Sequence, residues 1–117
     1  MAGRVVTLKK FAGTTSGANG IGTANTNAGL GKKWRLVSVM TAYSGAPTQA
    51  GVTVTLNSGL GAAFDTVLHA GSANARYNTF IPSSEFIFGP EDQIDVSAPA
   101  GGGSLTSSSV IYCEEVF

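Results

Sequence analysis

The chain has 117 residues, of which 12% are charged, with seven Lys and Arg balanced by seven Asp and Glu and only one His, one Cys and one Trp. That length suits one domain, 1–117, with a single core, and a charged share about half that of an ordinary soluble protein leaves much of the surface neutral or covered. Zero net charge argues against an electrostatic footprint for nucleic acid and against adsorption to an anionic membrane, and Cys113 with His69 can supply neither an internal disulfide nor a zinc shell.

The N-terminal "MAGRVVTLKKFAG" lacks the apolar run and small-residue cleavage site of a signal peptide, and no apolar stretch in the chain approaches the ~18–20 residues that span a bilayer. Synthesis in the cytoplasm is the expectation. Within it, "GRVVTLKKFA" (3–12) alternates as an edge strand guarded by Lys9 and Lys10. The next segment, 13–31, is rich in Gly, Asn and Thr and has no periodicity. Its large apolar anchors are Ile21 and Leu30, and it is expected to be an extended arm or long loop that orders on docking.

From Lys32 the character changes. "KKWRLVSVMTAYS" places Trp34, Leu36 and Met40 on one strand face and Val37, Val39 and Tyr43 on the other, which predicts a strand covered on both sides, the second cover being another subunit. After the turn "GAPTQAG", Val52, Val54 and Leu56 alternate with Thr53, Thr55 and Asn57 as a half-buried strand. "AFDTVLHAG" resumes with Phe64, Thr66 and Leu68 opposed to Asp65, Val67 and His69. "ARYNTFIP" and "EFIFGP" stop at prolines, which withdraw a ladder donor. "DQIDVSAP" alternates Ile94 and Val96 with Asp95 and Ser97, and "LTSSSVIYCEEVF" supplies a last strand after the turn "AGGGS". About eight strands at ~10-residue spacing, with no amphipathic helix, predict an all-β antiparallel sandwich of jelly-roll type.

Candidates for chemistry are few. Asp65 and His69 share a strand face, and Ser58 or Ser72 is available as a nucleophile, yet no nucleophile elbow or other triad signature accompanies them; His69 is expected at a strand end or an interface. "PEDQID" gathers Glu91, Asp92 and Asp95, oxygen ligands suited to calcium, without the D-x-D-x-D-G pattern of a calcium loop, and an acidic turn leading into a strand accounts for it. "GANGIG" and "GLGKKW" do not fit G-x-x-x-x-G-K-[ST] and precede no helix. Lys9, Lys10, Lys32, Lys33 and Arg35 around Trp34 form a small basic cluster for which edge protection or subunit contact is the expected role.

The run "VTVTLNSGLGAAFDTVL", followed by "FIPSSEFIFGPEDQIDVSAPAGGGSLTSSSVIY", resembles the small structural proteins of tailed-bacteriophage virions, of the capsid decoration or cement type. In these a "LxSGxGxxFDxxL" connection leads to a "P…GDxIxV" strand and a Gly-rich turn. The likeness spans residues 33–114 and departs at Glu91, where the pattern has glycine. It implies no catalysis and no cofactor. It implies a β-sandwich on the capsid surface, a homotrimer bound to the major capsid protein, with 13–31 as the arm over neighbouring subunits. Ile21, Leu30, Trp34, Arg35, Tyr43 and His69 are then the interface candidates. The other class open to such a sandwich is a carbohydrate- or receptor-binding module of a tail or fibre, with Trp34, Tyr43, Tyr77 and Tyr112 as aromatic platforms.

Overall fold

A computed structural model of the chain describes residues 8–14, 20–26 and 32–116. Among these residues nine strands follow in order: β1 (Leu8–Thr14), β2 (Gly22–Asn25), β3 (Lys33–Tyr43), β4 (Thr53–Asn57), β5 (Thr66–Ala70), β6 (Tyr77–Phe80), β7 (Ile87–Phe88), β8 (Gln93–Ala98) and β9 (Ser107–Val116). Among the described residues, the sole helical element is one 3-10 turn at Ala62–Phe64. One sheet runs β1-β9-β3-β6, with β7 continuing the β6 edge against β3; the other runs β2-β8-β4-β5. All pairings are antiparallel.

Counted with β6 and β7 as one interrupted strand, the pairings are nested: β4 with β5, β3 with β6 and β7, β2 with β8, β1 with β9. The chain is thus one long antiparallel ribbon, folded back at residues 58–65 and wrapped into two facing sheets. This is the eight-stranded jelly roll, the architecture that strand spacing and turn chemistry predict.

Alternation builds the core. Ile94, Val96 and Ala98 of β8 and Val54 of β4, with Val52 just before it, face inward and are buried. They meet Ile111 and Cys113 of β9 and Val39 of β3, all without exposed surface. Their neighbours Thr53, Thr55, Asp95 and Ser97 point outward, so the outer face of the β2-β8-β4-β5 sheet is a polar ladder in which Asn57 Nδ2 donates to Asp95 Oδ2 at 3.0 Å.

Two expectations are corrected. Strand β3 is not two-faced in the predicted sense, because a bulge interrupts it: Leu36 pairs with Cys113 but Ser38 with Tyr112, so Val37 is an extra residue. A bulge shifts the side-chain alternation by one position. Trp34 and Leu36 before it, and Val39, Thr41 and Tyr43 after it, therefore all face the core, while Met40 points outward. The buried hydroxyls are satisfied, Thr41 Oγ1 lying 2.8 Å from Ser109 Oγ and Tyr43 OH donating to the Pro99 carbonyl at 2.6 Å.

The segment expected as a free arm also contributes to the sandwich. Residues 22–25 pair with β8, Ala24 is buried, and Thr26 accepts the Ile94 N–H through Oγ1 at 3.0 Å while its own N–H donates to the Ile94 carbonyl. Small residues make this possible. A Cβ on Gly13 would lie 2.0 Å from the Thr23 carbonyl oxygen, so glycine is what lets β1 and β2 close that side of the sandwich.

Candidate functional site

The residues with reactive side chains are engaged in structure. His69 sits between the two sheets at their open edge, its ring stacked on Phe80 (centroids 5.0 Å apart, planes at 20°) and Nε2 3.3 Å from Asn78 Oδ1. Asp65 lies before the start of β5, roughly 13 Å away along an extended chain, and its carboxylate accepts the Ser58 N–H. Asp65 and His69 do not form a dyad, and the Ser58 hydroxyl accepts the Leu60 N–H. In the acidic run, Asp92 accepts the N–H groups of Gly59 and Gly89, and Asp95 accepts from Asn57 and Gln93. No set of three His, Cys, Asp or Glu residues is arranged to hold a metal ion among those described.

The basic cluster is likewise divided among separate partners. Lys9 lies over the rings of Phe11 and Trp34, at 5.0 and 6.0 Å from their centroids. Lys32 pairs with Glu115 at 3.1 Å, and Arg35 with Glu114 and Glu85. Of the six interface candidates, Ile21 is exposed, Arg35 belongs to this ion-pair group at the strand ends, and His69 closes the seam between sheets. Trp34 and Tyr43 lie inside the sandwich, 4% and 3% exposed, so the bulge in β3 removes both rings from the surface. Leu30 lies outside the described residues.

Two surface features are brought together only by the fold. The first is the outer face of the β1-β9-β3-β6 sheet, where Met40 of β3 lies between Val110 of β9 and Thr79 of β6, and Ala42 between Ser108 and Tyr77. With Tyr112 these side chains line an apolar groove of about 310 Å³. Arg76 borders it, its guanidinium 5.2 Å from the Tyr77 ring centroid and donating to the carbonyls of Tyr43 and Ser44. The opposite outer face has no comparable groove among the described residues: it carries Thr, Asn, Gln, Ser and Asp side chains, with Val67 alone apolar at its β5 edge.

The second feature is the turn between β4 and β5. Leu60 is 77% and Phe64 59% exposed there, yet the turn is tightly bonded. Gly61 N–H donates to Ser58 O, Phe64 N–H to Gly61 O and Asp65 N–H to Ala62 O, in addition to the bonds from Ser58, Gly59 and Leu60 given above. Two large apolar side chains are thus held out from a backbone with little freedom. In the sequence, "SGLGAAF" signals only a break between strands, and the outward position of Met40 is hidden by the bulge.

No helix among the described residues is long and apolar enough to cross a membrane. No family model and no curated protein sequence matches the chain. Among solved structures, the family 32 carbohydrate-binding module of C. perfringens NanJ in complex with galactose aligns over 92% of this chain and 93% of its own, at 14% identity and a TM-score of 0.47. The virus-like particle of the giant freshwater prawn Macrobrachium rosenbergii extra small virus aligns over 97% of this chain and 82% of its own, at 15% identity and a TM-score of 0.31. Neither likeness bears on function.

Proposed function

We propose that the chain is a non-enzymatic structural protein of a bacteriophage virion, a decoration subunit that binds the major capsid protein and stabilises the head. The observation that carries this reading is the difference between the two outer faces of the sandwich. One sheet ends in a polar ladder of Thr, Asn, Ser and Asp side chains with a single apolar residue, Val67, at its β5 edge, whereas the other clusters Met40, Val110, Tyr77 and Tyr112 in one apolar groove. An isolated sandwich gains nothing from such a face, and a subunit in an assembly gains the burial. The sequence resemblance over residues 33–114 supplies the virion context. A protein that binds the assembled shell better than the disassembled one stabilises it by linkage.

The carbohydrate- or receptor-binding reading ranks second. Of its four aromatic platforms, Trp34 and Tyr43 are interior, and Arg76 lies over the Tyr77 ring, where a sugar would stack. Mass spectrometry and low-resolution imaging of purified particles from a phage carrying this coding sequence test the proposal. Many copies on the head surface, and shells less resistant to heat in their absence, are the expected result. Absence from the head, or location at the tail tip with retention on a glycan array, overturns it in favour of the second reading.

A further inference from the structure

We propose that two copies of this chain associate head to tail, the β4–β5 turn of one seating Leu60 and Phe64 in the groove on the outer face of the other's β1-β9-β3-β6 sheet.

The two features are complementary in shape. The turn is convex and preorganised by its own hydrogen bonds, so little is lost in ordering it on contact, and its two large apolar side chains are among the most exposed described. The groove is concave, and its volume is about 310 Å³. A cavity of roughly 150 Å³ accommodates a benzene ring, so the groove has room for a phenyl and an isobutyl group together.

They are also complementary in charge. Asp65, Glu91 and Asp92 surround the turn, and among the described residues the two aspartates accept backbone N–H groups there. Arg76 and the exposed Lys10, paired with Tyr112, border the groove. Arg76 meets carbonyl oxygens but, among the described residues, no carboxylate within ion-pair distance.

Connectivity excludes an intramolecular fit. The groove lies at the end of β3, whereas the turn is bonded through Gly59 to Asp92, just beyond β7, which pairs with Trp34 and Arg35 at the start of β3, so turn and groove lie toward opposite ends of the molecule. Only another copy can bring them together. The turn covers only part of a sheet face whose outer strands β1 and β6 run seven and four residues, so the area buried lies below the ~800 Å² that each partner buries in a standard specific interface. The contact is therefore of modest strength between two free copies and gains from closure into a ring, because a head-to-tail contact leaves one turn and one groove open at each step.

The inference rests on neither the virion nor the carbohydrate reading, and it is tested on the purified protein alone by analytical ultracentrifugation. The unmodified chain is expected to self-associate in the micromolar range. The Leu60→Ser/Phe64→Ser double variant, which has lost the knob, and Met40→Lys, which places a charge on the groove floor, should each associate at least about tenfold more weakly with an unchanged circular dichroism spectrum. Tyr77→Ser replaces Met40→Lys if that variant does not fold. The decisive sample is the equimolar mixture of knob and groove variants, which retains one intact knob and one intact groove and should form a dimer and nothing larger. A monomeric unmodified chain at about 100 μM, or a mixture that stays monomeric, overturns the proposal, as does a Leu60→Ser/Phe64→Ser variant that associates like the unmodified chain, which indicates a symmetric face-to-face contact instead.

Discussion

Val54 has no exposed surface and lies in β4 opposite Val96, whereas Thr53 beside it projects from the polar outer face. Val54→Asp would confine a carboxylate between two apolar sheets with no partner, at a cost of several kcal/mol, comparable to the stability of a small domain. Thr53→Asp should cost no more than about 1 kcal/mol, the span of strand propensity. Urea denaturation of the two variants checks the register, and equal tolerance would contradict it. Burial acts on titration as well, pushing the Cys113 thiol from 9.0 up to about 12 and raising the Tyr43 phenol from 10.0. Both groups ionise more readily when unfolded. Their contribution is complete below pH 9 and declines as the pH rises towards 12, with Cys113 alone responsible between 9 and 10. One proton corresponds to a slope of about 1.4 kcal/mol per pH unit. Cys113→Ala should flatten the fall in melting temperature between pH 9 and 10, and the same slope in both proteins would exclude the thiol as its source.

The elements most legible in the sequence are β4 and β8. Val52, Val54 and Leu56, and Ile94, Val96 and Ala98, alternate with polar residues at a period of two, and a strand with one buried face is the single structure that places each set on one side. Strand β3 is illegible for the same reason: one inserted residue, Val37, reverses the alternation, and no local signal distinguishes a bulge from a strand buried on both faces. Residues 22–26 are illegible because Gly22, Ala24 and Thr26 are small, and their burial comes from β8 and β1, distant in sequence. The groove inherits both difficulties, since its floor residue Met40 falls after the bulge. Deleting Val37 should accordingly be far worse than Val37→Ala. Without it, either Trp34 and Leu36 or Val39 and Tyr43 must turn outward, and the deletion variant should lose its cooperative thermal transition while the alanine variant keeps it. Thr26→Val preserves shape but leaves the Ile94 N–H without its side-chain acceptor, which costs about 1–3 kcal/mol in a buried position. A Thr26→Val protein as stable as the parent would mean that β2 adds little to the sandwich.

For the molecule as a whole, the nested pairing sets the order in which contacts can be gained. Strands β4 and β5 are joined by residues 58–65, so their pairing closes a short loop, while Phe11 of β1 sits opposite Ile111 of β9, 100 residues later. Loop-closure entropy grows with the length enclosed, and each inner pair shortens the effective loop of the next outer one. Folding should therefore proceed outward from the β4–β5 turn, with the β1–β9 pairing last. An all-β chain of such high contact order is expected to refold in milliseconds to seconds. Stopped-flow measurements on two alanine variants test the order. Val54→Ala, near the turn, should chiefly slow refolding, and Phe11→Ala, on the last strand to dock, should chiefly accelerate unfolding. Both substitutions remove buried side chains and destabilise the protein enough for the partition to be measured. A reversed partition, with Phe11→Ala slowing refolding, would indicate that the outer strands associate first and that the turn forms on a framework already assembled, and sub-millisecond refolding would contradict the rate expected from contact order.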